Sequence, residues 1–600
     1  MLQNTAYTAA PPTNGYEFAS GAGYALPVYP FVRPPELDSA EIKRHPIVIV
    51  GGGISGLTLA CSLARQGVAA VLLDEDDTVG VKGASSRGIC YTQKSLEIFE
   101  RLGIYERIAR KGIQWSVGRT FAGADEVYAF DLSQQASFNL SEQAPFINIQ
   151  QFYIEGYLVE RIQALGGIDL RWKSRVTAFT QDEEKATLSV ETPAGSYQIE
   201  AAHVIDAAGS NTPFHAWTGV GLERKRGDDR WCIADVRFNK HPPVERHTWI
   251  EAPFNENRAV WQHLMADDVW RIDYQMAPNA DPAYVSRDDV VRERLERQFG
   301  KDVAVEIVWV GPYAYRSQCV DSLRAGHVFF MGDTAKVVSP FGARGGNTGV
   351  ADADNLAWKL AALLKGRAGP ALLDSYNHER LQASRENVMV TNRTARFLRA
   401  PEGMERTFRN AAISLARQYP FARQLVNTGR MAVANSYSGS PVCAAAGGVS
   451  VQNVGFEWAD GQRGDLNELL NWTGDGGGSL LLLVFGRQNP ASLDRLRALT
   501  GSGAALRCVQ VVGAGEKAQG KEHVRDPQGH LLRACGTGGV SGGWSLLRPD
   551  SYLAASGQRI DAGLVHAVAR ALALEGNAHV AAKKRDPVAG EPTAFEKVSA

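Results

Sequence analysis

Residues 47–56 read Ile47-Val48-Ile49-Val50-Gly51-Gly52-Gly53-Ile54-Ser55-Gly56, and this stretch decides the fold. Four consecutive apolar residues ahead of three glycines predict a buried strand that ends in a tight turn. Apolar-rich text with helical spacing follows from Ile54 to Arg65, and a second apolar run, Ala69 to Leu73, ends in Asp74. Strand, turn, helix and strand in so short a span make a βαβ unit of a parallel sheet. In the spacing Gly51-x-Gly53-x-x-Gly56 the first glycine permits the turn, the second lets a pyrophosphate approach the backbone, and the third lets the helix pack on the strand. The helix N-terminus at Ile54 and Ser55 then faces the phosphate charge. Asp74, 23 positions after Gly51, is the acidic residue expected on a ribose hydroxyl, with Glu75 as its substitute. The alternative reading is a glycine-rich turn without a ligand.

Working outward, 600 residues at roughly 100–200 per domain predict about three or four structural units. With 44% apolar and 22% charged residues, the composition is that of a soluble globular protein and excludes a disordered chain. Lys plus Arg is 64 against 65 for Asp plus Glu, which gives no electrostatic reason to propose nucleic acid or an anionic membrane as partner. Seven cysteines without a C-x-x-C pair or metal-ligand spacing predict a reduced, cytoplasmic protein with no metal site. The first 32 residues carry no Lys or Arg and no apolar h-region, unlike a signal peptide. No apolar run reaches the length of a membrane span.

Residues 1–45, rich in Pro, Gly, Ala and Tyr, read as an extended arm, and 46–224 as the first part of the nucleotide-binding domain. Across 225–320 apolar and polar residues alternate among many aromatics, including Trp231, Trp249, Trp261, Trp270, Tyr274 and Trp309. That pattern predicts a mostly antiparallel sheet with one face on a core or cavity; the tryptophan stripe itself reads as core. Residues 321–400 return to the nucleotide-binding domain, where the glycine cluster Gly342 to Gly349 precedes a helix from about Asp352 to Lys365. Residues 401–448 are helical text and a linker. A small α/β domain occupies 449–585, with strands Leu480 to Phe485 and Leu506 to Val512 around a helix from Ala491 to Thr500, and 586–600 form a loose tail. The fold class is α/β and α+β multidomain.

Two segments carry a resemblance: SSRGICYTQKSLEIFERLG from Ser85, and GHVFFMGDTAKVVSPFGARGGNTGVADADNLAWKL from Gly326. Together with the first glycine cluster they resemble the FAD-dependent aromatic hydroxylases, the single-component flavoprotein monooxygenases. The resemblance implies a Rossmann-like FAD domain in two discontinuous halves on either side of a substrate sheet, so three units rather than four. It also implies that Gly332-Asp333 binds the ribityl chain of FAD. The loop Pro340-x-Gly342-x-x-Gly345-Gly346-Asn347 would pass beside the isoalloxazine ring, Arg87 would lie near the flavin, and Gln151, in Gln151-x-x-x-Glu155, would lie near the nucleotide half. Physically, a carboxylate accepts from ribityl hydroxyls, and a helix N-terminus or a cation such as Arg344 favours reduced, anionic flavin.

The sequence departs from the family in AAHVIDAAGSNTPFHAW, residues 201–217, where an Asp-Gly pair that serves both FAD and NAD(P)H is Ala208-Gly209, with Asp206 two positions earlier. Thr212 and His215 replace a usual Ser and Arg, and Thr334-Ala335-Lys336 replaces Ala-Ala-His. FAD binding is expected to survive these changes, and docking of NAD(P)H to be atypical. With no second G-x-G-x-x-G and no redox C-x-x-C, a disulfide reductase is excluded. The C-terminal stretch GGWSLLRPDSYLAAS resembles the thioredoxin-like end domain of the phenol-hydroxylase and hydroxyphenylpropionate-hydroxylase branch. Cys508 and Cys535 lie outside any redox motif, so that domain reads as structural or interfacial.

The family implies that NAD(P)H reduces FAD, that O2 gives a flavin C4a-hydroperoxide, and that an oxygen atom passes to a phenolic or aromatic-acid substrate. The protein must exclude water and favour the phenolate. Candidates in the middle segment are His263 as base, Arg271 as partner of a substrate carboxylate or of Asp273, and Tyr274, with Pro340 and Arg344 from the flavin loop. A lone histidine in an apolar strand is, however, more often a satisfied core residue than a base. The alternative function is an FAD-dependent dehydrogenase or oxidase of a small aromatic compound, without oxygen insertion; a homodimer is left open.

Overall fold

In the computed structural model, residues 26–574 are described apart from 81–87, 137, 240–241, 400–401, 427–431, 472–477, 487–504, 519, 521 and 537–541. Arg87, the helix expected over Ala491 to Thr500 and the tail 586–600 therefore lie outside the described residues.

Strand Lys43–Val50 runs parallel to Gly195–Asp206 on one side and to Ala70–Leu73 on the other. Its last four residues are buried, as the unbroken apolar run requires of a strand covered on both faces. Val328–Phe330 joins beyond Gly195–Asp206, and Ile168–Arg171 beyond Ala70–Leu73, both parallel. Four helices matter for the site: α1 (Ile54–Arg65), α2 (Gln151–Leu165), α3 (Gly345–Leu364) and α4 (Leu372–Leu398). Helix α1 packs against both α2 and α3.

Glycines make that packing close. A Cβ on Gly56 would lie 2.0 Å from the Gly51 carbonyl oxygen, and one on Gly349 would lie 2.2 Å from Ser55 Oγ. Helix α3 begins at Gly345, inside the glycine cluster, where the sequence reading placed its start near Asp352. Low helix propensity is overridden here by packing on α1.

The second sheet has eight strands, ordered Lys336–Val337, Val305–Val320, Leu222–Phe238, Trp270–Gln275, Arg258–Leu264, Arg246–Ala252, Val117–Ala122 and Asp125–Asp131. All neighbours are antiparallel except Arg246–Ala252 with Val117–Ala122. The sheet is thus wider than 225–320, because a hairpin such as 117–131 is marginal by itself and gains partners at this edge. One face, with Cys232, Ala234, Val236, Trp270, Ile272 and Tyr274, packs on the helix Asp288–Phe299 through Val291 and Leu295. Alternation sends Trp231, Ile233, Arg271 and Asp273 to the other face, towards the first sheet.

A seven-stranded sheet spanning 455–557 forms the C-terminal unit, with apolar clusters on both faces. The N-terminal arm is docked from Leu26 onward: Tyr29 is buried and stacks on Trp172 with centroids 4.5 Å apart. All seven cysteines are free, and burial pushes Cys508 and Cys535 up to about 12, so neither is a ready thiolate. Among the described residues no helix is long and apolar enough to cross a membrane.

Candidate active site

One cavity of about 650 Å³ runs from the first glycine turn to the face of the second sheet. At one end lie Gly51, Gly53, Ile54 and Ser55. Gly51 has φ +107°, and a Cβ there would sit 2.4 Å from the Ala207 carbonyl oxygen. The N-cap residue Gly53 has no side chain to close the first turn of α1, and Glu155 meets the amide of Ile54 there. Asp74 is half-buried beside this turn, accepting from the amides of Gly52 and Asp76, and exposed Glu75 follows it on the lining. Gln151 Nε2 donates to Glu155 Oε1 at 2.7 Å. Glu155 is buried, and burial pushes its carboxyl up to about 7 although Gln151 and the Ile54 amide hold it down. Gly56 lies behind the turn, in the helix–strand contact, and is not on the cavity wall.

The middle of the cavity is built by the second glycine cluster. Gly332 has φ +61°, its amide donates to Asp352 Oδ2 at 3.0 Å, and it leaves Asp333 exposed on the lining. Pro340, Arg344, Gly345, Gly346 and Asn347 line the wall next to it. Gly342 is not on the wall; with Ala343 it turns the chain at φ +78° and +57°, and Gly342 accepts from the Ala432 amide. A left-handed alanine costs on the order of 1 kcal/mol, a strain often found beside functional sites. Asn347 is a strut: its Nδ2 donates to the carbonyls of Cys90 and Ala343, and its Oδ1 accepts from the Thr92 amide. Arg344 is buried, with Nη1 on Asn387 Oδ1 of α4 at 2.6 Å.

The far wall belongs to the second sheet: Trp231, Trp261, His263, Arg271, Asp273, Trp309 and, from the flavin loop, Phe341. The tryptophan stripe, read as core, is therefore divided: Trp231, Trp261 and Trp309 face the cavity, while Trp270 packs on the opposite face. Arg271 Nε donates to Asp273 Oδ1 at 3.0 Å. Tyr274 is a correction. Strand alternation turns it away from the cavity, where its hydroxyl donates to Gln298 Oε1 at 2.6 Å, so it cannot touch a substrate there. His263 is on the wall, but burial and the guanidinia of Arg246 and Arg271 hold it well below its ordinary value, so it stays neutral and is a weak base.

Arg246 was missed by the sequence reading. It lines the cavity, is buried, and stands over the Trp261 ring at 4.7 Å. The signal was an arginine in register with Thr248 and Ile250 on the buried face of an alternating strand. Cys90, also on the wall, has Sγ 4.0 Å from His263 Nδ1.

These residues fit FAD. Glycine at 51 keeps the turn tight against Ala207, two helices, α1 and α3, bring N-termini that their own N-cap residues leave uncapped to one cavity, and Asp74 and Asp333 offer acceptors beside them. An anionic diphosphate suits the first terminus, hydroxyls suit the carboxylates, and an electron-accepting ring suits the second. Gly209, at φ +90°, borders the same space. Asp206 lies behind it, held by Thr212 Oγ1 and the Ala208 amide, and burial pushes it up to about 7.

The sequence profile of the FAD binding domain family matches residues 44–391. Over 380 residues the chain is 25% identical to a 3-(3-hydroxy-phenyl)propionate/3-hydroxycinnamic acid hydroxylase of Mycolicibacterium gilvum, covering 63% of this chain and 65% of that protein. It is 28% identical over 586 residues to a 6-methylpretetramide 4-monooxygenase of Streptomyces rimosus, covering 93% and 97%. The flavin-dependent monooxygenase PieE, solved with FAD and substrate, shares the fold at a TM-score of 0.73 and 22% identity, over 88% of this chain and 99% of that one. With the glycine turn, Asp333 and the α3 N-terminus on one cavity, the chain belongs to the FAD binding domain family and, within it, to the FAD-dependent aromatic hydroxylases.

Proposed function

We propose that the protein hydroxylates the ring of a phenolic substrate with NAD(P)H and O2. The observation that carries this reading is the continuity of one cavity from the flavin-type glycine turn to a wall of Trp231, Trp261, Phe341 and Arg246. FAD, when bound, supplies the redox chemistry that activates O2. The chain's own part is to seat a flat ring against buried aromatics, exclude water and favour the phenolate. A phenol with a pKa of about 10 needs roughly 4 kcal/mol to ionise near pH 7, at about 1.36 kcal/mol per unit. The buried guanidinium of Arg246 favours the anion electrostatically, which a neutral His263 does not. Arg271, bonded to Asp273, orients that carboxylate on the same wall.

NAD(P)H serves as reductant without a dinucleotide fold of its own, and the loop Ala208 to Thr212, on the cavity lining, is its candidate approach. The C-terminal unit is read as thioredoxin-like. Supporting this, Leu480–Phe485 and Leu506–Val512 pair in parallel, followed by the antiparallel strands Trp544–Leu547 and Leu553–Gly557 and a helix Ala562–Ala571.

A panel of phenols, including aromatic acids and polycyclic phenols, tests the function. Substrate-stimulated NAD(P)H oxidation with label from 18O2 in the product is expected. Unlabelled product, with turnover persisting anaerobically on an artificial acceptor, would replace the hydroxylase reading by dehydrogenation.

A further inference from the structure

Far from the substrate wall, a set of fully buried charges joins the C-terminal unit to the flavin side of the cavity. Arg548, on the C-terminal unit, is bidentate on Glu379 of α4, with Nη1 to Oε1 at 2.6 Å and Nη2 to Oε2 at 3.0 Å. It also pairs with Asp550, with Nε 2.9 Å from Oδ1. Glu379 is met as well by Lys359 of α3 at 2.7 Å and by Ser440 at 2.6 Å. None of these charged residues is more than 1% exposed.

The next residue of α4, Arg380, bonds to α3. Its Nε lies 2.6 Å from Asp352 Oδ1, and its Nη2 reaches the Thr348 carbonyl and hydroxyl in the first turns of α3. Asp352 in turn accepts from the Gly332 amide and from Lys336. Arg380 also donates to the Tyr437 hydroxyl at 3.0 Å, and Tyr437 stacks on Tyr552 of the C-terminal unit at 4.2 Å.

We infer that Arg548 is a positioning residue for the flavin site: by clamping Glu379 it fixes Arg380, and through Asp352 and Thr348 it sets the Gly332-Asp333 turn and the N-terminus of α3. Consecutive residues on a helix point about 100° apart, so a helix held at Glu379 has its rotation fixed, and with it the aim of Arg380. A buried ion network is a weak source of net stability, since desolvation offsets most of the attraction. What a planar, bidentate guanidinium adds is geometry. The inference gives the C-terminal unit a task beyond covering a surface. It rests on the reading of the cavity as an FAD site.

The test compares full-length Arg548→Met with Leu546→Ala, a substitution at an apolar core residue of the same unit that takes part in none of these ion pairs. FAD is removed from each purified protein and titrated back by fluorescence quenching, with melting temperature and the visible flavin spectrum recorded. Arg548→Met is expected to raise the FAD dissociation constant about tenfold or more and to shift the flavin band. Leu546→Ala is expected to lower the melting temperature with FAD affinity and spectrum unchanged. Should Arg548→Met not fold, Arg548→Lys, which keeps the charge and loses the fork, is read in the same way. FAD binding and spectrum unchanged in the Arg548 variant, or loosened equally by Leu546→Ala, overturns the inference while leaving the flavin site standing. A wild-type protein that binds no FAD overturns both.

Discussion

The guanidinium of Arg246 stands 4.7 Å over the Trp261 ring, on the wall of the same cavity that holds Gly51 and Gly53. A cation held by an aromatic face and by burial is preorganised for an oxyanion. Arg246→Met is expected to lower kcat on the order of 10²-fold, the usual cost of losing one such group, with FAD content unchanged. Arg246→Lys retains part of the rate, because the charge stays and the planar fork is lost. Substrate-stimulated NAD(P)H oxidation with product analysis reads both; a Met variant that turns over like wild type would remove Arg246 from the reaction.

His263 gives the contrasting expectation. A general base contributes roughly 10² to 10⁴ in rate, but this imidazole is held neutral well below pH 6.5 by burial, Arg246 and Arg271. His263→Gln is expected to cost less than about tenfold, and the wild-type kcat profile should carry no step attributable to this residue between pH 6 and 8. A loss of several orders of magnitude in the variant would restore His263 as the base.

Asp333 stands exposed on the lining immediately after a glycine that adopts positive φ. Asp333→Ala is expected to weaken FAD about tenfold, roughly the worth of a charged hydrogen bond at 1.5–3 kcal/mol. Flavin content after gel filtration measures it, and full retention would move the ribityl site elsewhere.

How far the sequence reached depends on how local the physics was. The βαβ unit was legible because an apolar run, a glycine spacing and Asp74 all lie within one continuous stretch, and each maps onto a strand, a turn or a helix end. Alternation in 270–275 likewise placed Arg271 and Asp273 on one face and Tyr274 on the other. Alternation does not decide which face holds the cavity, so by sequence Tyr274 is as good a candidate as Arg271, and Trp231, Trp261 and Trp309 read as core. The place of the strands at 117–131 depends on pairing with Arg246–Ala252, over a hundred residues away, and no local pattern encodes such a choice. Sequence places the start of α3 too late because glycine lowers helix propensity, whereas contact with α1 requires glycine at 349, inside the helix.

That contact sets a stability prediction. In Gly56→Ala the new Cβ would meet the Gly51 carbonyl oxygen at 2.0 Å, a backbone atom that cannot swing aside. Helix α1 must move off its strand, at a cost of about 1–3 kcal/mol as for other overpacked sites. A lowered melting temperature together with loss of FAD is expected, since the same shift displaces the turn at Gly51 to Gly53. An unperturbed Gly56→Ala protein would show that α1 and its strand can accommodate a methyl at this contact.

Glu155 makes FAD affinity depend on pH. Its carboxyl is pushed from an ordinary 4.5 up to about 7, chiefly by burial, with the charge of Asp74 adding to the rise. Between about pH 4.5 and 7 the folded protein therefore keeps a proton that the unfolded chain has lost, so stability without FAD falls as pH rises through that window and levels off above it. Asp206 and Glu100, also pushed up to about 7, add in the same direction. Above pH 7 an ionised Glu155, bonded to the Ile54 amide at the N-terminus of α1, would oppose the diphosphate that this terminus would hold, because like charges repel. Protonation removes that opposition, so affinity should rise by roughly 3- to 10-fold from pH 8 to pH 6, the effect of about one coupled proton. Glu155→Gln isolates the residue from Asp206 and Glu100, because it removes this carboxylate alone. The variant is expected to bind FAD with an affinity nearly independent of pH in that range; if its pH dependence matches the wild type, the proton belongs to another group.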